Sequence, residues 1–119
     1  MKKAKVSRGL MAVCAGVGLM AMAVPSAMAV SVETSRSGSD YSQNDSTGKK
    51  ITLRDGECDG HGVRSDYVLT GSSTTNSFDN YIGCNNSNSV STSRLVYKHR
   101  VVEVIPVSAD DYGAWVYPK

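Results

Sequence analysis

The sequence predicts an all-β fold, a small antiparallel β-sandwich or open barrel with one disulfide, preceded by a signal peptide and a flexible arm. Three observations carry that reading. No stretch after residue 29 sustains the i, i+3, i+4, i+7 apolar spacing of an amphipathic helix, and Asn, Ser, Thr and Gly are too frequent there for long helices. Several short segments instead alternate apolar and polar residues, with polar turns between them. Two cysteines, Cys58 and Cys84, follow the leader, and in an oxidising compartment two cysteines are most simply one bridge.

The leader is read over residues 1–29. Lys2, Lys3, Lys5 and Arg8 precede an apolar run over residues 10–24, and Ala27-Met28-Ala29 forms an A-x-A cleavage site, the pattern of a secretory signal peptide. The run is shorter than a bilayer-spanning helix needs, and no second one follows. Cys14 stands too close to Arg8 to be a lipidation site and belongs to the signal core, and no twin arginine precedes it. Removing the leader leaves nine of the thirteen Lys and Arg against all eleven Asp and Glu, a net charge of −2. That mildly acidic balance favours neither nucleic acid nor an anionic membrane as partner. The expectation is an extracellular monomer with no membrane attachment after cleavage.

Three parts follow from composition: the signal peptide 1–29, a flexible arm 30–48 and a β domain 49–119. The arm is Ser, Thr, Gly, Asp, Asn and Gln with little to bury, although Val30 and Val32 alternate with polar residues and would suit a short edge strand. In the domain, Ile51 and Leu53 alternate with Thr52 and Arg54. Over 63–69, Val63, Ser65, Tyr67 and Leu69 share one face, and Arg64, Asp66 and Val68 the other. Residues 71–77 read as a polar turn, 78–82 as a short strand, and 84–93 as a Ser/Asn loop that no core would hold. The longest element is 94–107, with a bulge or bend expected at Lys98-His99-Arg100. Residues 114–117 close the chain, with Trp115 and Tyr117 on one face.

Three constellations could carry function. Asp55, Glu57 and Asp59 before Gly60 spell D-x-E-x-D-G, the front half of a calcium loop, with Asp66 where the last ligand would stand. The plainer reading is a solvated acidic turn. His61 and His99, with Glu57 or Glu103 and Arg100, supply the base, acid and phosphate-binding cation of a small secreted ribonuclease, but no helix is present to complete that class. Two histidines in a sheet protein are more often packed or exposed. Trp115 and Tyr117, with Tyr97 on a neighbouring strand, would make an aromatic platform. A chain with one Trp and one Phe favours Trp115 as core. No G-x-S-x-G or H-E-x-x-H motif occurs, and the cysteines and histidines are too few and scattered for a structural zinc site.

The run from Arg54 through Asp55-Gly56-Glu57-Cys58-Asp59-Gly60-His61-Gly62 to Tyr67, with Tyr97-Lys98-His99-Arg100-Val101-Val102-Glu103 and Ala114-Trp115-Val116-Tyr117-Pro118 downstream, resembles a pattern in small secreted actinobacterial β-module proteins of uncharacterised function. The resemblance covers residues 51–118. It implies secretion and a one-domain β fold and supplies no activity. In that pattern a cysteine stands just before the first Asp, where this chain has Arg54, and a second cysteine pair lies near the positions of Val102 and Gly113. Those departures leave the pairing of Cys58 with Cys84 resting on the count alone.

The reading as a whole is a secreted, non-catalytic binding module with a cell-wall polymer or an extracellular protein as partner. A small ribonuclease-like hydrolase and a calcium-stabilised extracellular module stand as alternatives. No cofactor is implied beyond that calcium.

Overall fold

The computed structural model describes residues 29–80 and 82–119, and all secondary structure among them is β. Eight strands form: β1 Thr34–Ser37, β2 Asp40–Asn44, β3 Lys50–Asp55, β4 Gly62–Leu69, β5 Thr75–Asn80, β6 Asn86–Ser91, β7 Val96–Val104 and β8 Asp111–Tyr112. They make two antiparallel four-stranded sheets, one ordered β1-β2-β3-β6 and the other β5-β4-β7-β8. No helix among the described residues is long and apolar enough to cross a membrane. The signal-peptide expectation falls, but for Ala29, outside the described residues.

Alternation along each strand decides which side chains meet between the sheets. Leu53 from β3, Val63 from β4 and Val101 from β7 form a fully buried apolar cluster, with Phe78 of β5 packed against it. Next to it the interior turns polar. Ser42 of β2 bonds the Ser65 hydroxyl of β4 at 2.8 Å and Nδ1 of His99 at 2.9 Å, while Nε2 of His99 meets Oδ1 of Asn44 at 3.1 Å. The Asn44 amide nitrogen donates to the carbonyls of Ser31 and Asp45, so its oxygen faces the imidazole. His99 therefore carries its proton on Nε2 and accepts the Ser42 hydroxyl on Nδ1.

Small polar side chains also close the two open sides of the sandwich. On one side the Ser35 hydroxyl donates to the Ala114 carbonyl at 2.6 Å and accepts the Val101 amide at 3.1 Å, and Ser37 donates to Asp111. On the other, Asn80 donates to the carbonyls of Leu53 and Asn86, and Asn88 to that of Asp79.

Three expectations are corrected here. Residues 30–48 are not a flexible arm: they hold β1 and β2, and the backbone of Ser31 is tied to Lys119 while that of Val30 is tied to Ser46. The stretch buries Ser35, Ser42 and Asn44 in place of apolar side chains, and their hydrogen bonds offset the cost of burying them, while Asp40, also buried, accepts the Gly56 amide on one oxygen. Likewise, residues 86–91 of the expected Ser/Asn loop form edge strand β6, paired along β3 with Val90 opposite Ile51. The bulge in the long strand also sits earlier than expected. Val68 pairs with Lys98 and Leu69 with Val96, which leaves Tyr97 as the extra residue.

The Cys58–Cys84 disulfide is formed. It joins the β3–β4 loop to the segment before β6, and closing a loop of sequence separation 26 stabilises a domain by roughly 3 to 4 kcal/mol in the chain-entropy account.

Candidate functional site

The outer face of the β5-β4-β7-β8 sheet carries a layer of cations and aromatic rings. Val116 pairs with His99 in an isolated bridge, which lays the end of the chain along β7 and turns Trp115 and Tyr117 to the side of Lys98 and Arg100. The Arg100 guanidinium lies 4.4 Å from the ring centres of both Tyr112 and Trp115, and Nζ of Lys98 sits 4.3 Å from the Trp115 centroid. The order is Tyr112, Arg100, Trp115, Lys98. Tyr97 and Tyr117 pack edge to face, 5.4 Å apart, and are 52% and 40% exposed.

Asp66 anchors this layer from below. Arg100 reaches its Oδ2 at 3.0 Å, while Arg64 and Ser77 reach Oδ1 at 2.9 and 2.8 Å. Cross-strand pairing of Asp66 with Arg100 and with Ser77 sets this row up. Asp66 and Val68 are therefore buried although they face away from the interior, because the rings and guanidinium groups roof them.

Tyr97, Trp115 and Tyr117, the three residues expected to form a platform, are thus brought to one face. The favoured placement of Trp115 as core is corrected: its ring is partly exposed on the outer layer, and the interior is filled by Leu53, Val63, Val101 and Phe78. Lys98, Arg100 and Tyr112 are partners that pattern reading missed in this role.

The acidic stretch is arranged differently from a calcium loop. Asp55, Glu57 and Asp59 do not share one site. Asp55 is buried and accepts the Glu57 amide at 3.2 Å, while Asp59 accepts the amide of His61 at 3.0 Å. Asp66, expected as a closing ligand, is committed to Arg64, Arg100 and Ser77. Two other groups of converging ligand atoms form, each within 4.8 Å: Asp59, His61 and Glu103, and Asp40, Glu57 and Glu103. Asp40 was invisible as a candidate, and as a neighbour of Glu103, because β2 and β7 meet only through the fold.

Glycines permit this convergence. Gly38 turns β1 into β2 at a φ of +60°, and a Cβ there would stand 2.1 Å from Oε2 of Glu57. The same oxygen accepts the Ser39 amide at 3.0 Å. A Cβ on Gly56 would lie 2.2 Å from the Ser39 carbonyl, so the β3–β4 loop touches the β1–β2 turn only because no side chain intervenes.

Electrostatics follow from that crowding. Asp40 is pushed up to about 7, chiefly by burial, against the Gly56 amide that lowers it and with Glu57, Asp55 and Glu103 adding to the rise. His61 is raised by its hydrogen bond to Glu103, 2.5 Å from Nδ1 to Oε2, with Asp59 assisting. His99 is lowered to about 4 by burial, opposed only by the charge of Glu33. The two histidines proposed for a ribonuclease do not share one accessible site, since His99 is 0% exposed with both ring nitrogens bonded inside the sandwich.

Two hollows are lined by these regions. One of about 370 Å³ is bordered by Glu57, His61 and the Cys58–Cys84 bridge. A larger one, about 680 Å³, lies where β4 ends and β7 begins and is lined by Thr70, Arg94 and Leu95. It gathers no cluster of reactive groups.

Comparison with known proteins returned no match: no protein-family model, no curated protein and no solved structure aligns significantly with the chain.

Proposed function

We propose that the chain is a secreted, non-catalytic binding module that takes an anionic cell-wall polymer on the outer face of the β5-β4-β7-β8 sheet. The observation that carries this reading is the grouping of exposed Tyr97 and Tyr117 beside Trp115, with Lys98 over the indole. Aromatic faces pack against sugar rings with little loss of conformational freedom. Lys98 makes no ion pair among the described residues, so its charge is available to a phosphate or uronate group. The signal-peptide pattern, the disulfide and the resemblance to small secreted actinobacterial β-modules favour an extracellular setting.

Sedimentation with isolated cell walls tests the reading. The Tyr97→Ala/Tyr117→Ala double variant should lose at least about tenfold in retention, equivalent to about 1.4 kcal/mol. Lys98→Gln should remove most of the salt sensitivity, since Arg64 and Arg100 on the same face are already paired with acids and Lys98 is not. Unchanged retention in the double variant sinks the proposal, and retention by an extracellular protein in place of the polymer redirects it. A hydrolase would have to run on His61 and Glu103. RNA turnover that vanishes in His61→Ala would favour that alternative.

A further inference from the structure

We propose that Asp40, Glu57 and Glu103 form a binding site for one divalent cation of the hard, oxygen-seeking class, with calcium the foremost candidate, at the disulfide end of the sandwich. One oxygen from each of the three carboxylates lies within 4.8 Å of the others. A calcium ion holds oxygens at about 2.3 to 2.6 Å, so three spread evenly around it stand roughly 4 to 4.5 Å apart, and carboxylates this close reach one ion with small side-chain adjustments. The donors are all carboxylate oxygens, which suit calcium, magnesium or manganese better than zinc.

A second observation points to the same ligand. Asp40 is 1% exposed and Glu103 is 9% exposed, so these are not solvated surface acids. One Asp40 oxygen accepts the Gly56 amide at 2.9 Å, and its other oxygen meets no donor among the described residues. No Lys or Arg among the described residues pairs with any of the three carboxylates; His61 on Glu103 is the one cationic partner. A buried carboxylate oxygen without a donor, set among other carboxylates, is costly unless a cation fills the gap.

The surroundings supply what such a site needs. Of the three carboxylates, Glu57 borders a hollow of about 370 Å³ open to solvent. His61 holds Glu103 from outside the ligand set, as outer partners commonly orient ligating groups. The Cys58–Cys84 bridge pins the loop that carries Glu57. Only Glu57 survives from the three acids of the linear calcium-loop pattern. The ligands come from β2, the β3–β4 loop and β7, and stability serves as readout independently of the wall-binding reading.

Thermal melts of chelator-stripped protein, with calcium, magnesium or manganese added singly to 10 mM, test the site. Calcium should raise Tm by about 4 °C or more, because a ligand held only by the native state stabilises it. Asp40→Asn keeps an acceptor for the Gly56 amide and should abolish the shift. If that variant does not fold, Glu57→Gln, on a partly exposed loop, should weaken the shift at least fivefold in midpoint concentration. No shift with any of the three cations, or a shift retained in both variants, overturns the proposal. So does a melt that responds to pH alone, which would mean a proton fills the gap.

Discussion

The interior between the two sheets has two regions filled by opposite means. Leu53 of β3, Val63 of β4 and Val101 of β7 make the apolar region, whereas β1 and β2 bring Ser35, Asp40, Ser42 and Asn44, all at 1% exposure or less, to a polar region that Ser65 and His99 of the facing sheet help to complete. Apolar burial is non-directional and tolerates repacking. A buried hydroxyl or amide is worth having only when its partner is in place, so this half of the interior specifies its own geometry. The difference teaches that a small sandwich can be held shut by hydrogen bonds where it has too few large side chains to fill it.

The largest effect expected is on the apolar side. Leu53→Ala, in the cluster with Val63 and Val101, should destabilise the protein by about 3 to 4 kcal/mol, the transfer and cavity terms together. Urea melts give this directly. A loss under about 1.5 kcal/mol would mean the apolar cluster is not the stronger half, and the contrast between the two regions would collapse.

Strands β3, β4 and β7 were legible in the sequence because Ile51, Leu53, Val63, Val101 and their neighbours alternate with polar residues. Strands β1, β2 and β6 were not. The inward residues of β1 and β2 are Ser, Asp and Asn, whose burial becomes affordable only through partners on other strands, such as Ser65 and His99 for Ser42, and β6 buries no residue fully, with Val90 its one apolar side chain. A period-two signal was present in Ser35 and Ser37, and in Asp40, Ser42 and Asn44, with Arg36, Tyr41 and Gln43 between them. It went unread because small polar side chains do not count as core in an apolar pattern. The same limit shaped the sites. Trp115 and Tyr117 could be grouped from their two-residue spacing, with Tyr97 added on an assumed neighbouring strand, but the meeting of Asp40 with Glu103 is a product of sheet packing and has no local trace. Trp115 was misplaced because the ring count alone argued for core, and nothing local revealed that Arg100 and Lys98 would sandwich it.

A second prediction separates the halves by pH. His99 is lowered to about 4 by burial, from an ordinary value near 6.5. Its native pKa is depressed, so the unfolded chain takes up the proton first as pH falls. The stability tied to neutral His99 is whole above about pH 6.5, declines between 6.5 and 4, and amounts to roughly 3 kcal/mol. Asp40 is raised and acts in the opposite sense over that range, while His61, also raised, changes stability above it, so the term is read as the difference between the native protein and His99→Gln. Direct NMR titration of the His99 ring checks the assignment. A midpoint near 6.5 would show that the ring is hydrated and the polar half open to solvent.

The smallest effect is the most specific to the polar half. Ser42 donates to Nδ1 of His99 and accepts from Ser65, so Ser42→Ala deletes one oxygen and leaves two buried groups without a partner. The apolar area removed is negligible, and the expected loss of about 1 to 3 kcal/mol is the desolvation cost of the stranded imidazole nitrogen and the Ser65 hydroxyl. Adding Ser65→Ala should cost less than it does alone, because the second hydroxyl no longer has a bond to lose, and a double-mutant cycle measures that coupling. Additive losses would mean the two serines act separately and that water, not the chain itself, completes the interior. Strong coupling would place the uniqueness of the fold in the same hydroxyls that made residues 30–48 look unstructured.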